Sequence, residues 1–172
     1  MRGLWVVRSV VFSAFVSVTA FAQSEVSIKI DETKLTVQRL ACETFGSDFI
    51  LTAADQDRHL KIALRNYLSV KKNAKTSKLS FAVTDPTVGA VVITELKDTR
   101  NQFHISKAAN PASQCTVEVT TADPKATVAL TCTKLTYHLN DKETRIPLDE
   151  QSANSLENVS GVIQCDVQSK TY

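Results

Sequence analysis

The chain has little glycine, and this shortage excludes one common kind of nucleotide site. Of its 172 residues only four are glycine, and one each is tryptophan and methionine. Gly46, Gly89 and Gly161 are the glycines that follow position 22, and they are far apart. A glycine-rich loop that cradles a phosphate needs several glycines within a few residues. The sequence therefore contains no such loop.

Short motifs for nucleophilic or metal-assisted catalysis are also missing. The chain has no G-x-S-x-G turn to present a catalytic serine and no C-x-x-C pair to bind zinc. His59, His104 and His138 are isolated from one another and lie next to apolar residues in alternating segments. We expect these histidines on a solvent-facing surface. The sequence therefore predicts no metal and no cofactor, and an enzyme would need a site assembled from distant residues.

The first 22 residues have the layout of a cleaved secretory signal peptide. Arg2 and Arg8 give a positive start, and an apolar run over residues 10–22 ends in Ala-Phe-Ala. This run is shorter than the roughly 20 apolar residues that a membrane span requires. We predict that residues 1–22 are removed and that 23–172 form one exported domain, periplasmic or extracellular, without an integral membrane segment.

Loss of this leader leaves the chain close to neutral. The full sequence has a formal net charge of +2. Arg2 and Arg8 leave with the leader, so the remaining basic residues are as many as the 18 acidic ones. Nucleic-acid binding depends on a strongly basic surface, which this balance does not provide. We therefore expect no nucleic-acid partner.

Two short segments concentrate charge. Asp55 and Asp57 precede Arg58, and we interpret them as a charged turn between strands rather than a calcium site. The second segment is a lysine run that could contact an anionic partner or form a solvated loop. It consists of Lys71, Lys72, Lys75 and Lys78.

Four cysteines follow the leader, and an even number in an exported protein predicts two disulfides. They are Cys42, Cys115, Cys132 and Cys165. A hairpin that turns at Asp123-Pro124 places Val119 opposite Val128 and Cys115 opposite Cys132. This register favours Cys115–Cys132 with Cys42–Cys165. Bonds between adjacent strands are geometrically demanding. Two other pairings therefore remain open: Cys42–Cys132 with Cys115–Cys165, and Cys42–Cys115 with Cys132–Cys165.

Apolar and polar residues alternate with a period of two through most of the chain. This pattern predicts roughly nine or ten short strands and an all-β fold, either an antiparallel β-sandwich or a closed barrel. Changes of phase predict a bulge or bend near Arg39 and a bend at Thr133-Lys134, and Gly161 suggests a bulge. Residues 149–157 are the best helical candidate, with one helical turn expected, and 144–148 are expected to form an edge strand.

These features predict a non-catalytic binding or surface-interaction module whose partner is a protein, a glycan or an envelope component. Exposed sheet edges are the natural contact surface, because they present unpaired backbone groups. The alternative is a carrier of a small apolar ligand, with Ile62, Leu64, Phe81 and Val91 lining a barrel or inter-sheet cavity. An enzyme with a dispersed site is less expected. Asn158-Val159-Ser160 is a glycosylation sequon for a eukaryotic secretory pathway.

Intact-mass spectrometry of secreted protein tests both the leader and the disulfides. We expect the mass of residues 23–172, with alkylation of four cysteines only after reduction, because an oxidising compartment pairs the thiols. Retention of residues 1–22, or alkylation of the native protein without reduction, would contradict these predictions.

Overall fold

The computed structural model describes residues 26–71, 76–84, 86–140 and 146–170, and strands dominate these ranges. The predicted signal peptide lies outside them, so its removal stays a prediction. The strands are β1 (Val26–Ile30), β2 (Thr33–Leu35), β3 (Arg39–Phe45), β4 (Asp48–Ala54), β5 (Arg58–Leu64), β6 (Thr76–Val83), β7 (Gly89–Glu95), β8 (Asn101–His104), β9 (Gln114–Ala122), β10 (Lys125–Leu139) and β11 (Leu156–Lys170), and the helices are α1 (Tyr67–Lys71) and α2 (Leu148–Ala153). The predicted all-β class is confirmed, with eleven strands among the described residues.

The strands form a β-sandwich whose two sheets share their longest strands. The first sheet has the order β2-β1-β11-β10-β9-β6, and the second has the order β11-β3-β4-β5-β7-β8-β10. The described neighbours are antiparallel, except that the end of β11 runs parallel to β3. β10 and β11 each have 15 residues and extend from the first sheet into the second. Because β10 and β11 also pair with each other, hydrogen-bonded strands connect the two sheets without a gap.

β10 passes from one sheet to the other at Lys134. Thr133 pairs with Asn158 and Leu135 pairs with Leu156, while Lys134 between them has a φ of 54°. Residues other than glycine, asparagine and aspartate rarely adopt this left-handed backbone conformation, so it marks a local break in the strand. Residues beyond it pair with β8 in the second sheet. The bend predicted at Thr133-Lys134 is confirmed.

The other two predicted irregularities had different outcomes. Residues 36–38 interrupt the strand pattern between β2 and β3, which confirms a bend near Arg39. The bulge at Gly161 was wrong, because this residue pairs in regular register with Ile28 and with Leu130. Glycine is needed here for space: a Cβ atom at Gly161 would lie 2.6 Å from the carbonyl oxygen of Ser27.

The core lies between the sheets and is closed at one end by α1. Tyr67 is 1% exposed, and its ring centroid lies 5.2 Å from that of Phe49 and 6.2 Å from that of Phe81. The sequence did not predict this helix, because five residues are too few to establish a helical period. α2 confirms the expected helical turn. The edge strand expected over 144–148 is wrong at its described end, where Leu148 starts α2.

Both favoured disulfides are present, and the two alternative pairings are wrong. Cys115 lies directly opposite Cys132 in the β9–β10 hairpin, with Cα atoms 4.0 Å apart. Cys42 and Cys165 have Cα atoms 6.0 Å apart and join β3 to β11 beside their parallel pairing. Two disulfides fit an oxidising compartment. Within the described ranges, no helix is long and apolar enough to cross a membrane.

The two disulfides should stabilise the fold unequally. They close loops with sequence separations of 123 and 17 residues. In the chain-entropy model such loops correspond to about 5 and about 3 kcal/mol. We therefore expect Cys42→Ala with Cys165→Ala to lower the free energy of unfolding more than Cys115→Ala with Cys132→Ala. Urea denaturation of both double variants measures this, and the opposite order would contradict the model.

Candidate functional site

Two members of the lysine run, Lys71 and Lys78, contact acidic residues of the β9–β10 hairpin. Lys71 Nζ lies 2.9 Å from Asp123 Oδ1, and its side chain is only 11% exposed. Lys78 Nζ on β6 lies 3.3 Å from Glu118 Oε2 on β9. Lys72 and Lys75 lie outside the described residues. The predicted role of the run in surface binding stays a prediction, and two of its charges are partly balanced.

β6 is the longer of β2 and β6, the two strands at the ends of the first sheet. It pairs with β9 through all eight of its residues, and no described strand pairs with its other edge. β2, the strand at the opposite end of the order, has only three residues. β6 contains one charged residue, Lys78, and no proline. Long strands with few charges and no proline are those whose free edge most readily accepts another strand.

The distance between the Cα atoms of Cys115 and Cys132 indicates which backbone N–H and C=O groups of β6 face away from β9. Directly opposed residues that exchange no hydrogen bonds have Cα atoms about 4.5 Å apart, so the 4.0 Å of Cys115 and Cys132 identifies a pair of this kind. The backbone groups of Cys115 therefore face β6, where Val83 is its partner. Because this direction alternates along a strand, the backbone groups of Lys78, Ser80 and Ala82 face away from β9.

Two of the three histidines form a pair on the second sheet. His104 on β8 lies opposite Thr136, and His138 on β10 lies opposite Gln102, so the two histidines are diagonal neighbours on one face. Their ring centroids are 4.8 Å apart with a tilt of 37°. As the alternation predicts, they lie on the face opposite that of Phe103. They are half-buried, however, rather than fully solvated.

Burial affects the protonation of these histidines. It lowers the pKa of His104, and the neighbouring His138 lowers that pKa further. Burial also lowers the pKa of His59, with smaller contributions from Lys61 and Arg39. His59 lies on β5, two strands from His104 and three from His138, which is about 10 Å and about 14 Å across the sheet. His59 is therefore separate from the pair. The lowered pKa of His104 favours its neutral form at pH 7.

A cavity of about 370 Å³ opens beside His104 at the surface of the second sheet. Most of its lining residues are apolar: Thr84, Pro86, Gly89, Ala90, Val91, Val92, His104, Ile105, Ser106, Lys107 and Ala108. Of the four residues predicted to line an apolar cavity, only Val91 contributes to this one. Ile62 and Leu64 are fully buried and Phe81 is 8% exposed, and all three belong to the hydrophobic core.

The carboxylates of the charged turn are used within the protein. Asp55 Oδ1 accepts hydrogen bonds from the backbone N–H groups of Asp57 and Arg58, both at 2.7 Å. Asp57 Oδ1 lies 3.1 Å from Lys97 Nζ. The described part of the chain contains no group of three or more histidine, cysteine, aspartate or glutamate side chains placed to hold a metal ion.

Comparison with protein families, curated proteins and solved structures finds no match for this chain. The function therefore has to be inferred from the chain's own residues. Sequence reasoning missed the histidine pair because only the pairing of β8 with β10 brings His104 and His138 together. The open edge of β6 was missed for the same reason, since a sequence pattern does not show which strand ends a sheet.

Protonation of His104 should make stability depend on pH. The unfolded side chain has its ordinary pKa of 6.5, while the folded one has a lower pKa, so below pH 6.5 the unfolded chain binds more protons. We expect the free energy of unfolding to fall between pH 7.5 and pH 5.5. His104→Gln should make this fall smaller. A fall should remain in the variant, because the pKa of His59 is also lowered in the folded protein. Urea denaturation across the range measures the slope, and an unchanged slope in the variant would contradict the assignment.

Proposed function

We propose that this protein is an exported, non-catalytic binding module that pairs the open edge of β6 with an extended segment of another polypeptide. The observation that carries this proposal is the eight-residue edge strand, with the backbone groups of Lys78, Ser80 and Ala82 directed away from β9. An added strand forms main-chain hydrogen bonds with such groups, and the alternating side chains supply specificity.

The side chains along β6 favour this mode of binding. Thr76, Lys78, Ser80 and Ala82 are exposed, while Phe81 and Val83 are buried in the sandwich. Pairing with a partner strand would therefore leave the contacts of β6 with the core in place. Apart from Lys78, the side chains of the exposed row are small, so they present little steric obstacle to a second backbone.

The charge next to this edge favours an acidic partner segment. The lysine run leads directly into β6, and Lys78 lies on the strand itself. Its side chain is 68% exposed, so it can contact a partner strand although Glu118 partly balances its charge. Opposite charges on neighbouring strands attract, whereas like charges placed directly opposite repel. A partner strand that carries aspartate or glutamate near Lys78 would add to the main-chain hydrogen bonds.

The predicted leader and the two disulfides support an exported setting, because disulfides persist in oxidising compartments. The carrier alternative has weaker support. Ile62 and Leu64, which we expected to line a cavity between the sheets, are instead buried in the core. The surface cavity beside His104 is a separate feature from the cavity that this alternative predicts.

A proline substitution tests the edge directly. Proline has no backbone N–H group, so Ser80→Pro removes one outward donor, whereas Ser80→Ala keeps it. The probe is a ten-residue peptide selected from a displayed library for binding to the wild-type protein. We expect its affinity to fall at least tenfold in Ser80→Pro, about 1.4 kcal/mol, and to stay unchanged in Ser80→Ala.

Hydrogen exchange shows where the peptide binds. It should slow exchange at the backbone amides of Lys78, Ser80 and Ala82, because these amides become hydrogen-bonded. Thermal unfolding confirms that each variant is folded, and Ala82→Pro replaces Ser80→Pro if the latter is not. Equal peptide affinity for the proline and alanine variants, or protection confined to another strand, would refute binding at the β6 edge. Self-pairing of two copies would appear as a dimer in light scattering without peptide.

A further inference from the structure

The separation of the two imidazole rings on the second sheet matches that of two ligands on one metal ion. Imidazole nitrogens lie about 2.0–2.1 Å from Zn²⁺, which places the centroids of two rings on one tetrahedral or square-planar ion about 4.5–5.2 Å apart. The rings of His104 and His138 have centroids 4.8 Å apart. The two rings are therefore already at the separation that two imidazoles on one ion require.

The backbone beneath the pair is held in place by the sheet. β8 pairs with β10 through four consecutive residues of each strand, from Asn101 with Leu139 to His104 with Thr136. Thr136 Oγ1 also donates a hydrogen bond to the carbonyl oxygen of His104 at 3.1 Å. The two histidines are therefore presented together by strands that already pair, and no chain segment has to fold to form the site.

We propose that His104 and His138 together bind one first-row divalent transition-metal ion, through one ring nitrogen of each side chain. This inference is independent of the proposed binding at β6, which lies on the first sheet. Metal ligation needs the neutral form of imidazole.

The donor set favours Cu²⁺ over other divalent ions. Imidazole nitrogens suit copper, nickel and zinc, and affinity along this series is greatest for Cu²⁺. Ca²⁺ and Mg²⁺ prefer oxygen ligands, which the pair does not provide. His104 also lines the cavity of about 370 Å³, so there is space for water molecules to complete the coordination sphere. Lys107 at the same cavity is exposed, and its ammonium group can extend into solvent.

Calorimetric titration of untagged, chelator-washed protein at pH 7.5 tests this site. The probes are Cu²⁺, Ni²⁺, Zn²⁺ and Mg²⁺ as their chlorides. We expect one Cu²⁺ per chain, weaker binding of Ni²⁺ and Zn²⁺, and no binding of Mg²⁺. His104→Ala and His138→Ala should each lose at least tenfold in Cu²⁺ affinity, because each leaves a single imidazole. His59→Ala is the matched control, since His59 lies on a distant strand, and it should bind like the wild type.

Electron paramagnetic resonance of the Cu²⁺ complex distinguishes this site from adventitious binding. Hyperfine splitting from two ring nitrogens is expected in the wild type and in His59→Ala, and it should be lost in either variant of the pair. Circular dichroism checks folding, and His138→Gln serves if His138→Ala does not fold. Equal Cu²⁺ affinity in the wild type and the double variant of the pair, an equal loss in His59→Ala, or a spectrum with oxygen ligands alone would overturn the proposal.

Discussion

The pairing of β10 with β11 is the interaction on which the rest of the structure depends. These two 15-residue strands stay in antiparallel register from Lys125 with Asp166 to Leu135 with Leu156. In the first sheet β10 also pairs with β9, and β11 also pairs with β1. In the second sheet the end of β10 pairs with β8, and the end of β11 pairs with β3. Without this pairing the strand order would be open between β10 and β11, and the first sheet would be divided into β2-β1-β11 and β10-β9-β6.

The break at Lys134 makes this shared arrangement possible. A strand that kept a strict period of two through β10 would turn either Cys132 or Leu135 away from the core. The left-handed residue between them shifts the phase, so both are buried. Bends of this kind are how strands pass from one sheet to the other in sandwiches. The ammonium group of Lys134 pairs with the carboxylate of Glu157 on β11 at this point.

Both candidate surfaces follow from this architecture. β6 is an edge because it pairs only with β9, and no described strand lies beyond it. The pair of His104 and His138 exists because β10, after its bend, pairs with β8. One surface offers backbone groups that no described strand pairs with, and the other offers two neighbouring imidazoles. The two surfaces share no residues.

Local patterns in the sequence determined the strands, the β9–β10 hairpin and the bend at Thr133-Lys134, because each depends on residues close together in the chain. The hairpin register selected Cys115–Cys132, which left Cys42 and Cys165 as partners. Only the tertiary structure decided the parallel contact of β3 with β11, the free edge of β6 and the meeting of His104 with His138. Each of these depends on which distant strands become neighbours. Which strands become neighbours is decided by burying the apolar faces of all the strands together, and the sequence of one segment does not contain this information.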